Sequence, residues 1–141
     1  MATKTICFAN NKGGSGKSTT CANVGYALST LGKKVLLIDG DMQMNLTLSF
    51  FNDEVSLEYA KGEKNLYRGV VAQRDLCDFV VSTEYKGLDI IPSSTLMSSI
   101  EFDLFAKWQR EFILREGLRK IKESNKYDYI LIACKMKKDW N

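Results

Sequence analysis

Short apolar runs separated by longer amphipathic stretches set the hydrophobic pattern of this chain. The apolar runs cover residues 5–9, 35–39, 88–91 and 129–133, and each is predicted to be a β-strand. Because these runs are apolar throughout and alternate with helical segments, they are typical of a parallel sheet that is covered on both faces. The pattern therefore predicts an α/β fold whose sheet has about four parallel strands.

Two of the stretches between the strands have helical periodicity. Gly32 is predicted to end the first helix. Four residues lie on the apolar face of this helix: Cys21, Val24, Leu28 and Leu31. A second helix is predicted near residues 102–121, where aromatic residues at helical spacing favour core packing over a cofactor role. These aromatic residues are Phe105, Trp108 and Phe112. Residues 52–74 are weakly patterned, so only short helices are predicted there and up to Val81.

The segment that joins the first strand to the first helix has the composition of a phosphate-binding loop. Its glycines allow a tight turn in which successive N–H groups point at phosphate oxygens, and the next helix adds its positive dipole end. The predicted nucleotide-binding residues are Lys12, Gly13, Gly14, Ser15, Gly16, Lys17, Ser18 and Thr19. The alternative is a glycine-rich turn that merely precedes a helix, and the strand–loop–helix context argues against it.

Two side chains of this loop have expected roles in binding a nucleoside triphosphate. Lys17 is expected to reach the β- and γ-phosphates, and Ser18 to offer its hydroxyl to Mg²⁺, which prefers oxygen ligands. ATP and Mg²⁺ are therefore the predicted cofactors. The common form of the motif has glycine at the position of Asn11, whereas this chain has a second lysine, Lys12, inside the loop.

With this second lysine, the loop resembles the deviant Walker A motif of the ParA/MinD partition and positioning ATPases. The residues from Asp39 through Asp41 to Thr47 are similar to that family's Asp-x-Asp-Pro-Gln-x-Asn-x-Thr signature, with Met42 in place of proline. Residues 90–94 and 110–132 also resemble ParA segments, and the order of the motifs favours ParA over MinD. The resemblance implies that residues 1–134 are the N-terminal part of a three-layer P-loop NTPase domain.

Two departures from the ParA pattern lie near the end of the chain. The family has its Walker B aspartate, which helps to hold the Mg²⁺ shell, where this chain has Ala133. Residues 135–141 do not resemble the family and are predicted to be an unrelated tail, a frayed end rather than a contact with membrane or nucleic acid. The resemblance thus implies an incomplete domain with uncovered sheet edges. Our hypothesis is a premature stop or frameshift, which an uninterrupted longer reading frame would contradict.

The resemblance further implies ATP hydrolysis that depends on dimerisation. In the family the signature lysine, here Lys12, reaches the phosphates bound by the partner subunit and stabilises the transition state. Asp41 is the candidate for positioning the attacking water and the Mg²⁺ shell, because ligands bind at the carboxyl ends of strands in such sheets. Asp39 is either a supporting carboxylate or a helix-capping or turn residue.

These roles give a set of candidate site residues. The predicted catalytic residues are Lys12, Lys17, Asp41 and Asp39, and the predicted metal ligands are Ser18 and Asp41. Because Ala133 replaces the Walker B aspartate and the half that supplies the adenine pocket in the family is missing, nucleotide binding is expected to be weakened and hydrolysis to be weakened more.

Composition narrows the cellular context and excludes some chemistries. The chain is 45% hydrophobic and 26% charged, and no apolar run approaches the ~20 residues of a membrane span, so a cytoplasmic protein without a membrane partner is expected. The absence of histidine excludes imidazole catalysis and histidine metal sites. The four cysteines lack the spacing of a metal site and are predicted to be free thiols, with Cys7 and Cys21 in core segments.

Charge says little about partners. The net charge is +3 and the basic residues are spread along the chain, which is typical of a solvated surface and gives no local support for DNA binding. By resemblance alone, the expected partners are a second copy of the chain in a nucleotide-dependent homodimer, a ParB-like centromere-binding protein and non-specific DNA.

Three functional classes stay open. An ATPase of plasmid or chromosome partition is favoured by the intact loop and Asp41. A truncated, non-catalytic remnant or regulator, which binds nucleotide or pairs with a full-length ParA, is favoured by Ala133. The third class contains other proteins with this loop, such as amide-forming synthetases and iron–sulfur carriers. The iron–sulfur version needs cysteines that face a dimer axis, and only Cys134 is predicted near a strand end.

Overall fold

A mostly parallel sheet forms the centre of the computed structural model, which describes residues 3–9, 16–41, 43–96 and 107–134. Within these residues the strands are β1 (Lys4–Ala9), β2 (Val35–Asp39), β3 (Val81–Ser82), β4 (Leu88–Ile91) and β5 (Tyr129–Cys134), in the spatial order β1-β5-β2-β4-β3. The pairs β1–β5, β2–β5 and β2–β4 are parallel. The predicted α/β class and the four predicted strands are therefore confirmed.

The sheet has one strand beyond the four that were predicted. β3 is a fifth strand of two residues, and it pairs antiparallel with β4, with Val81 opposite Ile90. A two-residue strand shows neither alternation nor an apolar run, so the sequence pattern could not reveal it.

Helices lie between the strands. β1 is followed by α1 (Gly16–Thr30), and three short helices follow β2: α2 (Asn45–Phe50), α3 (Asp53–Lys61) and α4 (Leu66–Val71). A 3₁₀ helix (Leu76–Phe79) precedes β3, and α5 (Lys107–Glu123) precedes β5. The short helices predicted in residues 52–74 and the long helix before β5 are confirmed. The predicted packing of Phe105, Trp108 and Phe112 falls outside the described side chains.

The helices enclose the sheet from both faces, which gives the three layers predicted from the resemblance. Val35 and Leu37 of β2 pack on the same side as Cys21 of α1, whereas Leu36 and Ile38 pack on the side of α4 and α5. This alternation follows from the two-residue period of a strand. Every residue of β2 is buried, because helices cover both of its faces.

The end of α1 explains one wrong prediction. Gly32 has a φ of 85°, and the N–H groups of Gly32 and Lys33 donate to the carbonyls of Ser29 and Leu28. This pattern is a Schellman motif, so Gly32 ends the helix as predicted. Leu31, which was predicted to face the core, lies beyond the last helical residue and is 74% exposed. The other three predicted positions, Cys21, Val24 and Leu28, do pack against the core.

Cys21 and Cys77 are free thiols, as predicted. Cys21 is buried, Cys7 is half-buried against the core and Cys77 is exposed. Burial raises the pKa of Cys21 to about 12, which leaves it protonated at neutral pH. Among the described helices, none is long and apolar enough to cross a membrane.

Candidate functional site

The candidate site lies at the edge of the sheet where the parallel strands have their carboxyl ends. β2 ends at Asp39 and leads to Asp41, while α1 begins at Gly16 after β1 and carries Lys17 and Ser18 in its first turn. Because parallel strands end at the same edge, the first turn of α1 and the turn after β2 come together there. Lys12, Gly13, Gly14 and Ser15 lie outside the described residues.

Lys17 and Asp41 form a buried ion pair. Lys17 Nζ is 3.2 Å from Asp41 Oδ2, and the two side chains are only 4% and 10% exposed. The other carboxylate oxygen of Asp41 accepts a hydrogen bond of 3.0 Å from the N–H of Gln43. The lysine at the start of α1 therefore already has an anionic partner, and an anionic ligand would compete with Asp41 for it.

Ser18, which follows Lys17 in the chain, is also buried. Its Oγ makes no hydrogen bond within the described part of the chain. A buried hydroxyl without a partner costs about 1–3 kcal/mol, so its position suits a ligand atom or metal ion. The described residues contain no cluster of three or more cysteine or carboxylate side chains that could hold a metal by themselves. Mg²⁺ does not require such a cluster, because it keeps water ligands and binds phosphates.

Two other predicted nucleotide-binding residues occupy open positions. Gly16 is exposed, and a Cβ atom built on it would lie more than 4 Å from the described residues outside its own helix turn. Thr19 is also exposed and lines a cavity of about 280 Å³ together with Tyr26, Phe50 and Tyr85. These positions leave room on the solvent side of the first turn of α1.

Asp39 makes the hydrogen bonds of a capping and turn residue, the alternative left open above. Its carboxylate accepts from the N–H of Asp41 at 3.1 Å, from the N–H of Thr47 at 2.8 Å and from the Thr47 hydroxyl at 2.6 Å. The N–H of Thr47 belongs to the first turn of α2, which needs an acceptor. Complete burial raises the pKa of Asp39 to about 6, although the hydrogen bonds from Thr47 and Asp41 act in the opposite direction.

Thr47 and Ser93 belong to the site although the sequence assigned no role to them. Both are fully buried. The Thr47 hydroxyl accepts from the N–H of Ser93 at 3.0 Å, and the Ser93 hydroxyl donates to the carbonyl of Asp41 at 2.7 Å. Both residues lie in segments that resemble ParA, and this was the one signal in the sequence that could have singled them out.

Ala133 lies near the end of β5, between the two strands that lead to the site. It stands opposite Asp39 on one side and Phe8 on the other, and its carbonyl accepts from the N–H of Gly40 at 2.8 Å. Its side chain is fully buried in the same cluster as Cys21. A methyl group therefore occupies the position that the resemblance assigns to the Walker B aspartate.

Known proteins resemble this chain over nearly its whole length. The family model of an AAA domain matches residues 3–138. The chromosome partitioning protein ParA of Caulobacter vibrioides is 35% identical over 131 residues, which are 93% of this chain and 47% of that protein.

Solved structures with the same fold include a synthase and a partition protein. A cobyrinic acid a,c-diamide synthase from Mycobacterium smegmatis, solved with a bound ATP analog and magnesium, matches with a TM-score of 0.80 and 28% identity over 94% of this chain and 50% of that one. A plasmid partition protein from Borrelia burgdorferi matches with a TM-score of 0.77 and 30% identity over 95% of this chain and 56% of that one.

The chain spans about half the length of the curated relatives that it matches. Within that half, the family model leaves only a few residues at either end unmatched. This protein therefore belongs to the AAA domain family, and within it to the ParA-like proteins.

Proposed function

We propose that this chain binds Mg²⁺–ATP through residues 12–19 and acts as part of an ATPase of plasmid or chromosome partition. The observation that carries the proposal is the buried Lys17–Asp41 pair at the start of α1, together with the adjacent Ser18, whose hydroxyl has no hydrogen-bond partner among the described residues. A lysine, a hydroxyl and a carboxylate at the carboxyl edge of a parallel sheet suit a triphosphate and its metal. The glycine-rich loop before α1 supports the same ligand.

Each side chain has a distinct part in this proposal. Lys17 exchanges the carboxylate of Asp41 for phosphate oxygens, Ser18 holds Mg²⁺, and Asp41, once released, orients water and the metal shell. Mg²⁺, when bound, neutralises charge on the phosphate oxygens. Asp39 supports Asp41 by accepting a hydrogen bond from the Asp41 N–H.

The proposed assembly follows the family pattern. Two copies of the chain pair when nucleotide is bound, and Lys12 of each copy reaches the phosphates of the other. A ParB-like protein and non-specific DNA are the proposed further partners, and the cytoplasm is the proposed location. Residues 1–134 form the N-terminal part of the ATPase domain in this proposal, and residues 135–141 form a separate tail.

A second candidate function is a module that holds nucleotide without hydrolysing it. The fully buried Ala133 favours it, because no carboxylate is available at this position to hold the metal shell. Such a chain could also pair with a full-length ParA and block its turnover. Phosphate release, measured on the same samples as binding, separates the two candidates.

The first test is a titration of the purified chain with a fluorescent ATP analogue in Mg²⁺. Lys17→Gln should weaken binding by roughly 10- to 100-fold, because charge-assisted hydrogen bonds contribute about 1.5–3 kcal/mol. Lys33→Gln is the matched control, since Lys33 is exposed. Unchanged affinity in Lys17→Gln, or no binding by the parent chain, would refute the proposal.

A further inference from the structure

Thr47 connects the elements that surround the candidate site. Its hydroxyl donates to Asp39 Oδ2 at the end of β2 and accepts from the N–H of Ser93 after β4. We infer that Thr47 is a positioning residue whose hydroxyl holds the turn that carries Asp41, so that the Asp41 carboxylate stays beside Lys17. This inference rests on the proposed function, since it concerns the same nucleotide site.

The Asp41 backbone is held on both sides by this network. Its N–H donates to Asp39 Oδ1 at 3.1 Å, and its carbonyl accepts from the Ser93 hydroxyl at 2.7 Å. Asp39 and Ser93, which hold the Asp41 backbone, are both bonded to Thr47. Asp39 Oδ2 accepts hydrogen bonds from Thr47, and the Ser93 N–H donates to the Thr47 hydroxyl. With its backbone fixed at both polar groups, Asp41 has only its side-chain torsions left to vary.

Burial makes each of these bonds costly to lose. Asp39, Thr47 and Ser93 have no solvent exposure. Replacing the Thr47 hydroxyl with a methyl group leaves the Ser93 N–H without its acceptor and removes one of the three hydrogen bonds to the Asp39 carboxylate. Water cannot substitute easily for a lost bond at a fully buried position, so the turn must shift to recover partners.

The backbone after Asp41 shows that this turn is held in a strained conformation. Met44 has a φ of 60° and a ψ of 27°, the left-handed region that non-glycine residues rarely adopt. Its N–H donates to the Asp41 carbonyl at 2.9 Å, the same oxygen that the Ser93 hydroxyl contacts. Such strain persists only where surrounding contacts determine the conformation, and the Ser93 hydrogen bond to the Asp41 carbonyl is one of those contacts here.

Positioning of this kind has a distinctive effect on a metal–nucleotide site. Partners behind a ligand-holding group typically change metal affinity or activity by about 10- to 100-fold, although they do not touch the ligand. Lys17 contacts phosphate directly in the proposed function, whereas Asp41 acts through the Mg²⁺ shell. Loss of the Thr47 hydroxyl should therefore weaken the Mg²⁺-dependent part of ATP binding without weakening the Mg²⁺-independent part.

The experiment compares Thr47→Val with Thr47→Ser. Valine keeps the shape and removes the hydroxyl, whereas serine keeps the hydroxyl and removes the methyl group. The dissociation constant of a fluorescent ATP analogue is measured in Mg²⁺ and in EDTA, and the ratio of the two is the readout. We expect Thr47→Val to reduce the gain in affinity that Mg²⁺ provides about tenfold. In Thr47→Ser this gain in affinity should stay within about twofold of the parent chain.

Two results would overturn the inference. An equal loss of affinity in Mg²⁺ and in EDTA would mean that Thr47 supports the fold without positioning Asp41. A loss in Thr47→Ser as large as that in Thr47→Val would assign the effect to the methyl group. If Thr47→Val does not fold, Ser93→Ala replaces it, because this change removes only the hydroxyl that contacts the Asp41 carbonyl.

A second measurement separates this inference from the proposed function. A double-mutant cycle of Lys17→Gln and Asp41→Asn, followed by urea denaturation, gives the coupling free energy between the two side chains. The same cycle is measured a second time in the Thr47→Val background. Positioning by Thr47 requires the coupling to fall by at least half when its hydroxyl is absent, even if the chain binds no nucleotide. An unchanged coupling would overturn the positioning role, while absence of ATP binding alone would overturn only the proposed function.

Discussion

Replacing Gly25 with alanine should lower the free energy of unfolding, although alanine is the better helix former. Gly25 lies in α1, where the helix packs on the sheet. A Cβ atom at this position would stand 2.8 Å from Leu37 Cδ2, 3.4 Å from Leu88 Cδ1 and 3.6 Å from Leu131 Cδ1. All three leucines are fully buried. The nearest methyl group therefore has little free volume into which it can move.

The contact distances set the expected size of the effect. Carbon atoms in favourable contact are roughly 3.5–4.0 Å apart, so the new methyl group and Leu37 must separate by about 1 Å. Overpacking in a core typically costs about 1–3 kcal/mol. Alanine gains about 1 kcal/mol over glycine in a helix interior. We therefore expect a net loss of about 1 kcal/mol in Gly25→Ala.

Urea denaturation followed by circular dichroism measures this change. Ala27→Gly, at an exposed position of α1, is the matched control, because it reports helix propensity without core packing. Leu37→Ala should cost at least about 1 kcal/mol less in the Gly25→Ala chain than in the parent chain, since the added methyl group fills part of the cavity. Stabilisation of Gly25→Ala by the full propensity gain, or additivity within about 0.5 kcal/mol, would refute this packing argument.

Two further predictions concern the carboxylates of the site. Burial raises the pKa of Asp39 from 3.8 to about 6, so the folded chain binds this proton more tightly than the unfolded chain. The stability that the proton provides is complete below about pH 4 and is lost as the pH rises through about 6. In urea denaturation from pH 4 to pH 7, Asp39→Asn should lack this decrease in the free energy of unfolding. The same pH dependence of stability in both chains would contradict the raised pKa. Aspartate at Ala133 would add a second carboxylate opposite Asp39, so Ala133→Asp should destabilise the chain by about 3 kcal/mol or more, and Ala133→Asn by less. Thermal unfolding should show that Mg²⁺ with an ATP analogue stabilises Ala133→Asp more than the parent chain, and an equal shift would count against a metal-shell role for this position.

The central strands were predictable because both of their faces are buried. β2 is apolar along its length and every residue is buried, so its hydrophobic run reads directly as an interior parallel strand. The same reasoning located β4 and β5. It failed for β3, whose two residues pair at the edge of the sheet and are not fully buried. It failed also for Leu31, because periodicity alone does not tell whether a residue falls just before or just after the helix end.

The sequence predicted individual residues of the candidate site but not their arrangement. Loop composition predicted Lys17 and Ser18, and strand-end position predicted Asp41. Their pairing depends on how closely α1 approaches β2, and Gly25 makes that approach possible without leaving a periodic apolar signal. The roles of Thr47 and Ser93 depend on contacts between segments distant in sequence, and a hydroxyl in isolation does not reveal its partner.

Two separate supports thus meet at the Lys17–Asp41 pair. Lys17 is placed by α1, which rests on Leu37 of β2 through Gly25, whereas Asp41 is placed by hydrogen bonds that converge from α2 and from the segment after β4. Apolar packing fixes the first partner, and polar groups without solvent exposure fix the second. Because the supports share no residue, a shift of the lysine and a shift of the aspartate are separable perturbations. A shift of α1 acts on the phosphate contact of the proposed function, and a shift of the Asp41 turn acts on its metal shell.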